Sequence, residues 1–161
     1  ENRLASYRRS VRAVNPSTNF VFKNAAGEMN PRLDEDLPYD IKKNWLDLSD
    51  DAFGVFYIDA MEYVKRYVGK EIHFIGKIFQ KKKNMLLIGR KAMTCCMEDL
   101  ATFALICDIA DTEQFPAYCW VDVEGEVTEE YIEKMHVTIP VIRVSWIEKC
   151  EKPYKEIIEV K

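Results

Sequence analysis

The chain has 161 residues, a formal net charge of -4 at pH 7, and a composition that is 48% hydrophobic and 12% aromatic. That is enough to close a core and far from the composition of a disordered segment. The mild acidity argues against a dedicated nucleic-acid binder, whose domain is normally basic, and no run of roughly 18 apolar residues exists to form a membrane-spanning helix. The five cysteines are odd in number and include no C-x-x-C pair, so neither a disulfide framework nor a zinc ribbon is indicated.

Residues 1–47 read as a linker or arm, partly ordered, and 48–161 as a helix followed by a β-barrel. The arm begins with Arg3, Arg8, Arg9 and Arg12, has no initiator Met or apolar leader, and reads as part of an excised or processed chain. Basic residues of this kind flank spans on the cytoplasmic side of membranes, although charge runs are more often solvated faces. Phe20 with Phe22, and Tyr39 with Trp45, are aromatic pairs able to dock on a body elsewhere.

From Leu48 the pattern is regular. Ser49 or Asp50 can cap a helix with Asp51 in its first turn. Phe53, Phe56, Tyr57, Ala60, Met61 and Val64 then form one apolar stripe at helical period. With Lys65 and Arg66 near its end and Gly69 as a stop, the helix is predicted over Asp50 to Tyr67. The period then changes to two. Ile72–Phe79 is a strand with Gly76 as its bulge or bend, Met85–Met93 a second, Thr102–Cys107 a third, Ala117–Val127 a fourth, and about Val137 to Ile147 a fifth. Glu129 to Met135 is the one inter-strand segment with helical character. Five strands bent at glycines after one amphipathic helix predict a mainly β (α+β) fold, a five-stranded OB-like barrel.

The chemistry-bearing residues centre on Gly89-Arg90-Lys91-Ala92-Met93-Thr94-Cys95-Cys96-Met97-Glu98-Asp99. Along a strand the adjacent thiols would face opposite sides. At a turn, Cys95, Cys96 and Asp99 would suit a soft or borderline ion such as zinc, with His73 or another residue brought close by the fold as the fourth ligand. The bland reading is buried, unreactive thiols. The pair is expected to be reduced and unbridged, with one thiol buried and the other facing Asp99, because a disulfide between neighbours is strained. Arg90 is expected to fork onto Asp99, Asp122 or backbone carbonyls at the corner between the second and third strands. Neither His73 nor His136 is tied to a cysteine by any motif, so no enzyme is indicated. On an OB barrel ligands use the second and third strands and two loops. Here one loop is basic (Lys81 to Lys83) and the other acidic (Glu129, Glu130, Glu133), without the aromatic ladder that single-stranded nucleic acid requires.

The G-R-x-x-M-T-C-C-x-x-D block, with Tyr67-x-Gly69-Lys70-x-Ile72 before it and Trp120-Val121-x-Val123-x-Gly125 after it, resembles the YcgQ-like family, as does the closing Lys152-Pro153-Tyr154. The likeness covers about Leu48 to Val160. It implies a subunit of a two-component membrane permease complex of uncharacterised function, anchored at the cell membrane by two upstream helices and partnered by a multi-span permease. An association with zinc-handling genes implies a metal role, but the His- and Cys-rich linker of many members has no counterpart in residues 1–47. The motif positions carried over as ligand-binding candidates are Arg90, Cys95, Cys96, Asp99, Trp120 and Gly125, with Cys95, Cys96 and Asp99 as the metal candidates. The resulting expectation is a non-enzymatic soluble domain that docks on the permease or senses a small ligand or metal ion. A stand-alone thiol-dependent metal-binding or redox protein is the alternative, and an OB-type binder of nucleic acid or oligosaccharide a third.

Overall fold

A computed structural model describes residues 31–94, 98 and 100–160. Strand β1 (Trp45–Asp47) precedes helix α1 (Asp51–Glu62), followed by β2 (Glu71–Lys82), β3 (Met85–Met93), β4 (Leu100–Asp108), β5 (Trp120–Ile132), β6 (Val137–Cys150) and β7 (Ile157–Glu159). The alternation predicted for five strands produces five long strands, each at the expected place. β2 pairs antiparallel with both β5 and β3, β5 with β6, and β4 with β3, while β6 runs parallel to β4 from Ile106↔Val141 to Asp108↔Arg143. These pairings close a circuit β2-β5-β6-β4-β3, the Greek-key order of an OB barrel. The short strands β1 and β7 extend it in parallel, on β2 and β3 respectively.

Inward residues fill the barrel. Ile72, Phe74, Leu86, Ile88, Phe103, Leu105, Val121, Val123 and Ile142 join Phe53, Phe56, Tyr57 and Ala60 of α1 in one core. The helical stripe lies across β2 and β4, with Phe53 and Phe74 ring centroids 5.1 Å apart and Tyr57 stacked 4.6 Å from Phe103. Leu37, Ile41 and Leu46 are buried in the same core. Two glycines mark where backbones come too close for a side chain. A Cβ at Gly89 would overlap the Phe103 carbonyl of β4, and one at Gly125 would come within 2.7 Å of the Arg143 carbonyl oxygen, beside the register shift between Glu124 and Gly125. In β2 the irregularity falls between Ile78 and Gln80 rather than at Gly76.

A second, smaller core lies on the outside of β3 and β4. Met85, Leu87, Ala104 and Ile106 pack there against Ile132, Ile139 and Val141 from the β5–β6 hairpin. Both strands are consequently buried on two faces.

Two elements differ from the sequence expectation. The helix ends at Glu62 instead of Tyr67, and Tyr63 (φ -129°, ψ 57°) separates it from a 3-10 turn at Val64–Arg66. The break lets Tyr67 return to Asp59, which in a continuous helix would lie about 12 Å away along the axis. The Glu129–Met135 segment is strand through Ile132 and a 3-10 turn at Glu133–Met135. Pairing from Glu129↔Pro140 to Ile132↔Val137 overrides its local helical preference.

Truncation of Phe56, which is fully buried, to Ala is expected to cost about 3–5 kcal/mol in denaturant unfolding. A loss below about 1 kcal/mol would show that α1 is not part of the barrel's core.

Candidate functional site

β3 changes neighbour along one edge. It pairs with β2 up to Lys77↔Gly89 and with β7 from Lys91↔Ile157, so Arg90 stands at the changeover. Its side chain, 1% exposed, fills the gap. Nη1 donates to the Ile75 carbonyl of β2 at 3.4 Å, and Nε to the Glu156 carbonyl at 3.4 Å. Nη2 donates to the Lys155 carbonyl and, at 3.3 Å, to Asp50 Oδ1. Trp120 covers the guanidinium from 5.5 Å, within cation–π range.

The expected fork onto backbone carbonyls is therefore present, but it lies between β2 and β7 instead of at the β3–β4 corner. Asp50 supplies the carboxylate, while Asp122 is engaged elsewhere. Asp50 takes a left-handed backbone conformation (φ 46°) and makes no side-chain cap on α1. A conformation of that kind costs on the order of 1–3 kcal/mol. It leaves the carboxylate aimed at Arg90, a charge that is expensive to bury without partners. Asp51 completes the arrangement by accepting from Lys155 Nζ at 2.9 Å and from the Glu159 backbone N–H at 3.0 Å. Arg90 and Trp120 are thus brought together as a clamp on the C-terminal segment. Gly125 sits apart at the β5–β6 irregularity, where the requirement is backbone clearance. Cys95, Cys96 and Asp99 lie outside the described residues.

His73 forms a second polar centre, which the strand pattern left without partners. It points outward from β2, as its alternation predicts. Nδ1 lies 3.1 Å from Asp47 Oδ1 of β1 and Nε2 2.5 Å from Asp122 Oδ1 of β5, so the ring ties three strands together. Trp45 stacks on it at 6.2 Å. Burial alone would lower the imidazole pKa, but the hydrogen bonds and charges of Asp47 and Asp122 outweigh it and raise the pKa above 6.5. With both ring nitrogens engaged, His73 has no lone pair free for a metal. Among the described residues no group of three or more His, Cys, Asp or Glu is placed to hold a metal ion.

A third network gave no sequence signal. Buried Asp59 accepts from Arg66 Nη1 at 2.7 Å and from the Tyr67 hydroxyl at 2.6 Å, and Tyr67 is linked to the Tyr39 hydroxyl at 2.7 Å. Arg66 also reaches Asp34 at 3.0 Å. These contacts pin residues 34–39 to the end of α1. Burial pushes the Tyr67 and Tyr39 hydroxyls well above the ordinary phenol range, which suits anchors and not proton donors. Burial likewise raises the Cys107, Cys119 and Cys150 thiols, opposite to what a reactive thiolate requires.

A family model described as the DUF1980 C-terminal domain matches residues 23–158. The UPF0703 protein YcgQ of Bacillus subtilis (strain 168) is 25% identical over 122 residues, covering 72% of this chain and 42% of that protein. A Streptococcus mutans protein with the provisional name two-component membrane permease complex subunit is 24% identical over 103 residues, covering 60% of this chain and 38% of that protein. The chain thus spans about two fifths of the length of these relatives. Among solved structures, U. maydis replication protein A bound to single-stranded DNA aligns at TM-score 0.38 and 17% identity, over 56% of this chain and 68% of that one. The telomere capping protein Ten1 of Saccharomyces pombe aligns at TM-score 0.32 and 13% identity, over 51% and 67% respectively. Strand order, not these likenesses, establishes the barrel.

Arg90→Ala is expected to destabilise the fold by at least about 1–3 kcal/mol, because it leaves the Ile75, Lys155 and Glu156 carbonyls without their donor. It should also release residues 152–160 to faster amide exchange, with Arg90→Lys retaining part of the protection. Unchanged exchange in that segment would refute the clamp. The raised His73 pKa makes its contribution to stability fully present below the unfolded value near 6.5 and lost as pH rises through the folded value. An NMR titration of His73 should therefore give a midpoint above 6.5, and thermal stability relative to His73→Gln should decline across that midpoint. A midpoint at or below the ordinary value would contradict the bridging geometry.

Proposed function

The chain belongs to the DUF1980 C-terminal domain family, and on that basis we propose that it is a non-enzymatic docking domain of a membrane permease complex subunit, working at the cell membrane against a multi-span partner. The observation that carries this reading is how the barrel is filled. Its interior is occupied by core side chains, with Arg90 closing the gap beside β7, and the hairpin covers the outer wall of β3 and β4 at Met85, Leu87, Ala104 and Ile106. Single-stranded nucleic acid binders of this fold use that outer wall as a stacking platform. Here it is an apolar contact within the protein.

One open groove, about 500 Å³, runs between the end of α1 and the β5–β6 turn, lined by Met61, Glu62, Tyr63, His136 and Val137 among others. Its cations are engaged by other groups: Lys65 with Glu129, and Arg66 with Asp59 and Asp34. No helix of the described residues is long and apolar enough to cross a membrane. Metal sensing through Cys95, Cys96 and Asp99 would be an addition to docking, and metal analysis of the purified protein tests it separately.

The test is affinity purification of the full-length protein from detergent-solubilised membranes. A multi-span permease subunit is expected to co-purify, and recovery should fall at least about tenfold when the domain is deleted, which corresponds to about 1.4 kcal/mol of lost affinity. Recovery that is independent of this domain would overturn the proposal.

A further inference from the structure

We infer that the outer face of β1, β2, β5 and β6 is the docking surface, and that it takes a Lys/Arg-rich segment of a partner protein; the inference rests on the docking reading above and identifies its surface. Register fixes the composition of this wall. Asp47 pairs with His73, His73 with Glu124, and Glu124 with Trp146, forming one row across four strands. The next rows place Trp45 beside Glu71 and Glu148 beside Asp122. Trp45 and Trp146 are 47% and 41% exposed, unusual for so large an apolar group. They stand at opposite margins of the wall, three strand spacings or about 14 Å apart across the strands.

Between the two tryptophans the charge has one predominant sign. Glu71, Glu124 and Glu148 form no ion pair among the described residues, and Asp47 and Asp122 are shared by the His73 ring. Part of the β3–β4 wall is covered by the second core, whereas no element of the described residues covers this one. Exposed tryptophans flanking free carboxylates match a cationic chain. The indoles offer cation–π and apolar contact, and the carboxylates pair with Lys or Arg. An anionic lipid surface would be repelled by the same carboxylates, and so would a second copy of this face. Lys/Arg-rich loops are a regular feature of multi-span proteins on the cytoplasmic side, so the surface also indicates which side of the membrane the domain meets.

Titration calorimetry of the chain with a Lys/Arg oligopeptide, and with an Asp/Glu oligopeptide of equal length, tests the inference. The basic peptide should bind saturably, more weakly as salt rises, and the acidic peptide should not bind. Glu124→Lys and Glu148→Lys, each checked for retained circular dichroism, should each weaken binding about tenfold, and Trp146→Ala should weaken it similarly, while Glu124→Asp retains it. Equal affinity for both peptides, affinity unaffected by the two charge reversals, binding to phosphatidylglycerol vesicles, or self-association abolished by Trp146→Ala would each overturn the surface. In the full-length protein, permease recovery that survives Glu124→Lys with Glu148→Lys would refute this face and leave docking intact. Peptide binding without any permease recovery would refute the permease as the partner and leave the surface standing.

Discussion

A guanidinium removed from water has to be surrounded by acceptors, and Arg90 meets that requirement with atoms from three separate parts of the chain. Its donors reach the Ile75 carbonyl of β2, the Lys155 and Glu156 carbonyls before β7, and the Asp50 carboxylate at the start of α1. The barrel wall opens where β2 and β3 part, and an apolar side chain there would leave those carbonyls without donors. Arg90 both plugs the opening and fixes the C-terminal segment against it. The left-handed conformation of Asp50 follows from the same need, since its carboxylate serves Arg90 instead of capping the helix.

The clamp and the second hydrophobic core divide the barrel's outer surface. The β5–β6 hairpin packs Ile132, Ile139 and Val141 onto β3 and β4, and β7 occupies the edge of β3 beyond Arg90. The surfaces that this fold elsewhere devotes to ligands are thereby used for internal contacts. The opposite wall is polar and carries His73 between two carboxylates, with tryptophans at its margins. A barrel closed on one side and charged on the other is better suited to holding a partner than to enclosing a small molecule. That asymmetry is the physical content of the proposed docking role in a permease complex.

Much of this architecture can be read along the chain. The 3.6-residue period from Phe53 to Val64 specifies a core-facing helix, and the period of two specifies the five long strands, with β3 bounded at Met85 and Met93 as its pattern predicts. Gly89 and Gly125 mark the tight approaches because no other residue fits there. These features are local: periodicity and the absence of a side chain act on the segment that carries them. The three-residue strands β1 and β7 are too short to show any period. The strand character of Glu129–Ile132 depends on pairing with Val137–Pro140, and the early end of α1 depends on Asp59 capturing Arg66 and Tyr67.

The sequence by itself determined the helix stripe, the strand set and hence the closed barrel, together with the motif residues that carry the family resemblance. Only the tertiary structure decided what those residues meet. Arg90 and the Lys155 carbonyl are 65 residues apart, and His73 and Asp122 49 apart. No local pattern encodes such pairs, because they arise from the register at which a closed sheet returns on itself. For the same reason, the outward half of each strand appears in the sequence only as alternating polar positions. The closed circuit selected which of them became a partly covered wall and which an open acidic one.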